Sequence, residues 1–233
     1  MRSLRTLKKI NGETILRKLG EAIMLDEERF PPLRSRSVFE MLVATILSQN
    51  TSDKNTARTL RRLRETIGIT PESISNARLL ELKSAIRSSG LYNVKARVLK
   101  KLARIVIKNY GGNFEKVLEK PLDEARRELM SLPGVGPKTA DVILLFAGGK
   151  KTFPIDTHIF RVSRRLGLIG LKDSYEEARG KLMKTFPPES YLKAHLLLIE
   201  HGRKTCGARR PLCSGCVLLE YCQFGQEFLK GKT

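Results

Sequence analysis

Apolar residues recur along most of this chain at the three- to four-residue spacing of helices. The run at residues 38–47 is apolar on almost every side, which predicts a buried central helix. A second helix begins near Asn93 and ends at Gly111-Gly112, a pair suited to the left-handed end of a helix. Its apolar positions keep a helical spacing: Val94, Val98, Leu102 and Val106.

Three further segments carry helical patterns. The segment that begins at Asp123 has acidic residues in its first turn, where the helix dipole favours them. Residues 159–168 and residues 193–201 also show the period of a helix. Two-residue alternation is rare, so the sequence predicts an all-α fold without a sheet.

Two interruptions divide these helices. Pro31-Pro32 breaks the pattern early in the chain, and residues 147–154 break it again with glycine, lysine and proline. We therefore expect residues 31–150 to form one compact lobe. Residues 1–30 and 151–233 are expected to combine into a second helical lobe.

The charge of the chain points to a polyanionic partner. Lys and Arg number 44 against 24 Asp and Glu, a formal net charge of +20 with an isoelectric point near 10.1. Nucleic acid is the commonest such partner, although a protein that is simply basic would show the same balance. The basic residues are spread along the whole chain and no apolar run is long enough to cross a bilayer, which argues against a membrane.

Residues 1–10 are basic but lack the apolar core of an export signal, so we expect an intracellular protein with reduced cysteines. All four cysteines lie in the last 28 residues, with the spacing Cys206-x6-Cys213-x2-Cys216-x5-Cys222. Four thiolates at this spacing can hold zinc or an iron–sulfur cluster, and disulfides are the third alternative. The basic residues beside the first cysteines suit contact with phosphate: Lys204, Arg209 and Arg210.

A glycine turn lies between two helical patterns in the segment LPGVGPKTAD, residues 132–141. Gly134 and Gly136 allow a tight turn whose N–H groups can approach a phosphate closely. Pro137 suits the first position of a helix, which places Lys138 in its first turn. The helix dipole disfavours a cation there and lowers its pKa, which favours a nucleophilic amine. An ordinary loop in which Lys138 binds phosphate fits the local sequence equally well.

Asp156 follows an apolar stretch and precedes a helical pattern. This position predicts a helix N-cap. A carboxylate close to an amine would have a second role, as a base or as a charge opposite a developing cation.

Several segments together resemble the helix-hairpin-helix DNA glycosylases, and their endonuclease III branch in particular. The resemblance covers nearly the whole chain after about Val38. The matching segments occur in family order: ILSQNTSDKN, GLYNVKAR, LPGVGPKTADVIL, PIDTHIFRVSRRLGL, HGRKTC and the cysteine tail.

The resemblance implies a two-lobed fold, in which a six-helix lobe carries the hairpin, a second lobe carries the cysteines and DNA binds across the cleft between them. It implies that Lys138 and Asp156 are catalytic and that the cysteines hold a [4Fe–4S] cluster. Its implied substrate is duplex DNA that contains damaged bases or abasic sites, bound by a monomer in the cytoplasm or nucleoid, or in the nucleus or mitochondrion of a eukaryote.

Further DNA contacts are also implied by the resemblance. The hairpin glycines Gly134 and Gly136 would contact the DNA backbone. Leu91 matches an apolar wedge inserted into the base stack, although core packing is the alternative. Gln49 and Asn50 match the segment that fills the space left by a flipped base. Endonuclease III carries Ala-Gln there, so the preference for the opposite base is open.

The implied activity is that of a base-excision N-glycosylase with an associated abasic-site lyase, acting on oxidised or ring-saturated pyrimidines. One alternative is a mismatch glycosylase of the same fold, which would remove thymine or adenine from mispairs. Those branches typically carry Tyr or Ser at the position of Lys138, which argues against them. A second alternative is a non-enzymatic iron–sulfur protein that only binds DNA, which would not need Lys138 and Asp156.

Overall fold

The computed structural model describes residues 10–26 and 30–231, and these residues form helices and turns with no β-strand among them. The all-α prediction is therefore confirmed. None of the described helices is long and apolar enough to cross a membrane. The α-helices are α1 Gly12–Ala22, α2 Val38–Ser48, α3 Asp53–Thr66, α4 Pro71–Asn76, α5 Leu79–Ala85, α6 Tyr92–Tyr110, α7 Lys116–Glu119, α8 Leu122–Met130, α9 Pro137–Phe146, α10 Thr157–Arg165, α11 Tyr175–Thr185, α12 Tyr191–Lys204 and α13 Gln223–Leu229.

Short 3₁₀ turns connect several of these helices, and the chain divides into two compact units. The described part of one unit is residue 26 and residues 30–150, and we call it the hairpin unit. The described part of the other is residues 10–25 and 151–231, and we call it the cysteine unit.

Helix α2 lies at the centre of the hairpin unit, as its continuous apolar pattern predicts. Every residue from Val38 to Leu47 is buried. Glu40 is buried as well, at 4% exposure, and one carboxylate oxygen accepts a hydrogen bond from the Arg36 backbone at 2.9 Å. The Arg64 guanidinium of α3 binds the other oxygen. The buried charge of Glu40 is thus paired with the charge of Arg64, because an unpaired charge would be costly to bury.

Helix α6 begins one residue before the expected Asn93 and ends at Gly111, which has the left-handed φ of 61°. Leu102 and Val106 are fully buried, as their spacing predicts. Val94 is different, because 58% of its surface is exposed. It lies in the first turn of α6, next to the exposed Leu91, so its apolar character is not explained by the core.

The core of the cysteine unit is built around Phe153, in the segment that the sequence marks as a break. Its ring stacks on Phe186 at 5.5 Å between centroids and meets Tyr191 edge-on at 5.5 Å. His195 is buried in α12 and its Nδ1 lies 2.9 Å from the carbonyl oxygen of Pro154. This packing fixes the segment that leads directly into Asp156.

Candidate active site and cysteine pocket

Helices α8 and α9 flank the glycine turn of the hairpin unit. Gly134 has a φ of +79°, and a Cβ on it would lie 2.7 Å from Cγ1 of Val98 in α6. Both its backbone conformation and this close approach therefore require glycine. Gly136 is the N-cap residue of α9 and Pro137 opens the helix, as the sequence predicts.

A buried ion pair joins the two helices of this hairpin. Arg126 of α8 donates to the carboxylate of Asp141 in α9, from Nε at 2.9 Å and from Nη2 at 3.2 Å. Asp141 is fully buried, and the Arg126 side chain is 14% exposed. Sequence reasoning missed this pair. The available signal was an Asp inside the apolar run that follows Lys138.

Lys138 is the second residue of α9 and its side chain is exposed. The first turn of α9 contains no acidic residue that could neutralise its charge. The structure therefore presents the Lys138 amine at the positive end of a helix, directly after the glycine turn.

Asp156 is the N-cap residue of α10, in the cysteine unit. Its Oδ1 accepts a hydrogen bond from the backbone N–H of Ile159 at 2.8 Å, and the residue is half-buried. The predicted N-cap is confirmed. The cap of α10 involves only Oδ1 of the carboxylate, so Oδ2 takes no part in capping.

Two exposed turns of the hairpin unit carry the residues expected to touch the base stack. Leu91 is 61% exposed, so core packing is wrong for it. Asn50 is exposed too, and both residues have positive φ angles, 55° for Asn50 and 47° for Leu91. Gln49 is half-buried, and its Nε2 donates to the carbonyl oxygen of Gly134 at 3.2 Å. Gln49 thus contacts the hairpin turn directly.

Lys95 of α6 is a buried lysine that sequence reasoning did not single out. Only 5% of it is exposed, and its ammonium lies within 2.9 Å of three backbone carbonyl oxygens. Burial lowers the pKa of Lys95 to about 8, because the charged form loses its contact with water. Its motif GLYNVKAR was recognised, but no local pattern distinguishes this lysine from exposed ones.

All four cysteines line one pocket of the cysteine unit. A Cβ on Gly225 would lie 3.5 Å from Sγ of Cys222 and 3.7 Å from Sγ of Cys213. Burial raises the pKa of the Cys216 thiol to about 11 and, together with the neighbouring cysteines, raises the pKa of Cys213 and Cys222. Within the described residues, no group of three or more His, Cys, Asp or Glu side chains is arranged to hold one metal ion.

The sulfurs of this pocket also have hydrogen-bond donors. The Gly225 backbone N–H donates to Sγ of Cys222 at 3.3 Å, and Arg165 of α10 donates to Sγ of Cys206 at 3.3 Å. Such donors stabilise thiolates that bind a metal group. The pocket therefore offers four thiols, with hydrogen-bond donors to two of their sulfurs, as possible ligands of a metal group.

Helix α10 holds the loop that follows Cys206. Arg161 donates to the Cys206 carbonyl oxygen at 2.8 Å, and Arg165 donates to the carbonyl oxygens of Gly207 and Ala208 at 2.8 and 3.0 Å. The same helix begins at the Asp156 cap. The capped start of α10 and the cysteine loop therefore share one rigid element.

The basic residues near Cys206 differ in their surroundings. Arg209 and Arg210 are exposed on the loop. Lys204 is half-exposed and forms an ion pair with the buried Glu200 at 2.9 Å. Lys204 is therefore less available to a phosphate than the two arginines are.

Proteins of known family are similar in sequence to this chain. Residues 43–188 match the family model described as HhH-GPD superfamily base excision DNA repair protein. Endonuclease III of Sulfolobus acidocaldarius is 38% identical over 218 residues, which cover 91% of this chain and 96% of that protein. Endonuclease III of Bacillus subtilis is 40% identical over 189 residues, which cover 81% of this chain and 82% of that protein.

Solved structures agree. A non-covalent endonuclease III–DNA complex matches with a TM-score of 0.79 and 37% identity, covering 95% of this chain and 99% of that one. A trapped endonuclease III–DNA covalent intermediate matches with the same TM-score and identity over 94% of this chain and 99% of that one. The chain therefore belongs to the HhH-GPD superfamily of base excision DNA repair proteins, in its endonuclease III branch.

Proposed function

We propose that this protein, a DNA glycosylase of base excision repair, is bifunctional: it removes a damaged pyrimidine and then cleaves the strand at the resulting abasic site. The observation that carries the proposal is the exposed amine of Lys138 at the start of α9, next to the glycine turn. A glycosylase that only hydrolyses the base has no need of an amine there. The solved relative trapped as a covalent intermediate with DNA supports an amine nucleophile.

The chemistry begins once the target base has left the stack, because its glycosidic bond is out of reach inside the duplex. The unprotonated amine of Lys138 attacks C1′ of the sugar, and the bond between C1′ and the base breaks. The bonding electrons leave with the base, which takes up a proton. Asp156 accepts the proton that the attacking amine loses and passes it on, and its charge stabilises the cationic sugar.

Strand cleavage follows from the covalent bond. The sugar ring opens as nitrogen forms an imine with C1′, and the proton lost from nitrogen goes to the ring oxygen. The imine acidifies the C2′ proton. Loss of that proton forms a C2′–C3′ double bond and expels the 3′ phosphate, which is β-elimination. Water then releases the sugar and restores Lys138.

We also propose that Cys206, Cys213, Cys216 and Cys222 hold a [4Fe–4S] cluster. When bound, such a cluster would supply a rigid covalent link between the thiolates rather than a reagent for base removal. The pocket that all four cysteines line supports this assignment. Zinc is the alternative for four thiolates.

Reductive trapping tests the proposed function. Borohydride reduces an imine to a stable amine, so adding it during turnover on a duplex with an abasic site should link the protein to DNA. Lys138→Ala should give no adduct but should still bind the duplex. Lys172→Ala removes an exposed lysine of the cysteine unit and should trap like the wild type. Adduct formation by Lys138→Ala at the wild-type yield would refute the role of this lysine.

A further inference from the structure

Two exposed turns of the hairpin unit share an unusual backbone conformation. Among the described residues other than glycine, only Asn50 and Leu91 have positive φ angles. This region is unfavourable for most residues with a side chain, and for a bulky one such as leucine in particular, whereas asparagine tolerates it. Strain of this kind persists only where the surrounding structure holds it.

The side chains of Asn50 and Leu91 do not restrain these backbone conformations. Asn50 is exposed and Leu91 is 61% exposed, so neither is anchored by burial in the core. The restraint must therefore act on the backbone. The two backbones also meet, because a Cβ on Gly90 would lie 3.8 Å from the Asn50 carbonyl oxygen.

The buried ammonium of Lys95 lies beneath both turns. It donates to the carbonyl oxygens of Leu47 at 2.9 Å and Gln49 at 2.7 Å, which end α2 and lead into Asn50. Its third hydrogen bond, at 2.8 Å, goes to the carbonyl oxygen of Ser89, which leads into Gly90 and Leu91. An ammonium has three N–H donors, and all three are used here.

Lys95 supplies each of the three carbonyls with a hydrogen-bond donor. Leu47 lies in the last turn of α2, where helix carbonyls lack partners within the helix. Ser89 is fully buried in the 3₁₀ turn before α6. A buried carbonyl without a donor is costly, so the hydrogen bonds of Lys95 stabilise the arrangement of these two turns.

We propose that Lys95 is a positioning residue that fixes the Asn50 turn and the strained Leu91 turn in one arrangement, ready to enter the DNA duplex as the damaged base leaves it. The inference rests on the proposed function, because it concerns the extrusion step that precedes excision. Lys95 does not touch the substrate in this proposal. It acts through the backbones of Asn50 and Leu91.

Base extrusion can be measured separately from folding and from binding. The probe is a duplex with dihydrouracil opposite guanine and 2-aminopurine as the neighbouring base, whose fluorescence rises when the stack opens. Lys95→Met keeps the buried aliphatic stem but removes all three donors. We expect it to unfold cooperatively and bind undamaged duplex nearly as well as the wild type. The rate of the fluorescence rise and the single-turnover rate of excision should both fall about tenfold or more.

Two variants provide the controls. Lys108→Met removes an exposed lysine of the same helix, about 20 Å along its axis from Lys95, and should extrude and excise at the wild-type rates. Lys95→Gln offers two N–H donors instead of three. It should show the same loss to a smaller degree, and it carries the test if Lys95→Met does not fold.

A double-mutant cycle separates positioning from a general structural role. Leu91→Gly removes the side chain that would enter the duplex and accepts a positive φ without strain, so Lys95 has nothing left to position there. Lys95→Met should therefore slow extrusion less in the Leu91→Gly background than in the wild type. Additive effects would overturn the proposal, as would wild-type extrusion by a folded Lys95 variant. If the wild-type protein neither opens nor excises the dihydrouracil duplex, the proposed function fails instead.

Discussion

Asp156 combines a structural role and a proposed chemical role in one carboxylate. The cap of α10 uses Oδ1, which accepts from the Ile159 N–H. Asparagine caps a helix about as well as aspartate but carries no charge. The two roles can therefore be separated by a single substitution.

We predict that Asp156→Asn will leave the melting temperature nearly unchanged and slow base excision about 100-fold or more, because a charge that acts in the transition state is lost. Asp156→Ala should slow excision to a similar degree and should also lower the free energy of unfolding by about 1 kcal/mol, through loss of the cap. Single-turnover excision and thermal unfolding measure the two effects. If Asp156→Asn excised at the wild-type rate, Asp156 would be a helix cap and nothing more.

Local sequence signals placed some site residues well and others not at all. Glycine, proline and the start of an apolar run located Lys138 and Asp156 at the first turn and the N-cap of their helices, because such signals act within a few residues. Lys95 gave no such signal. Its burial depends on carbonyls from three separate segments, which only the folded chain brings together.

The hairpin is held together by more than its glycine turn. The Arg126–Asp141 ion pair links α8 to α9, and it lies one turn beyond Lys138 in a helix that is otherwise apolar there. A buried pair is costly to disrupt, because the remaining charge stays in a poorly solvated place. The pair therefore supports the helix that carries Lys138.

We predict that Asp141→Asn will lower the free energy of unfolding by about 3 kcal/mol, since the amide no longer neutralises the Arg126 guanidinium. Glu81→Gln is the matched control, because it alters an ion pair with Arg78 on an exposed surface and should change stability little. Denaturant unfolding of both variants is the measurement. If the two variants had equal free energies of unfolding, the buried Arg126–Asp141 pair would not stabilise the hairpin.

If the cysteine pocket holds the proposed cluster, the purified protein should contain iron and sulfide. Protein purified without oxygen should contain about four iron and four sulfide per chain if the pocket holds the proposed cluster. Cys216→Ser should lose iron and lower the melting temperature, because the thiolate links are missing. Cys216 lines the pocket and is half-buried there, so its substitution changes the pocket without opening the core. A fully active wild-type protein with one zinc and no iron would contradict the cluster.

Helices were predicted more reliably than the contacts between them. The positions of α2, α6 and α12 follow from apolar spacing, and glycine or proline marks the end of α6 and the start of α9; these are local properties. The ion pairs of Glu40 and Asp141 do not follow, because their partners lie in other helices. Val94 keeps the helical spacing of α6 but is exposed, for a related reason. A helical spacing shows which residues share a face but does not show where the core ends.

At the scale of the whole molecule, net charge identified the class of partner but not where that partner binds. The charge of +20 is spread over the chain, and ion pairs such as Lys204–Glu200 neutralise some of it. The proposed chemistry of Lys138, Asp156 and the cysteines comes from the resemblance of their motifs to the branch. These motifs do not decide the preference for the opposite base, since Gln49 and Asn50 depart from the branch.

The last prediction concerns the substrate. Oxidised or ring-saturated pyrimidines stack poorly, so extruding them costs less than extruding an intact base. We therefore expect excision of thymine glycol and dihydrouracil, and cleavage at abasic sites, with normal thymine opposite guanine processed much more slowly. Single-turnover rates on thymine glycol:A and T:G duplexes decide between these expectations. The opposite result would point to the side chains of Gln49 and Asn50, through a preference for the base opposite the target. Faster cleavage of T:G would place the enzyme functionally with the mismatch glycosylases, despite Lys138.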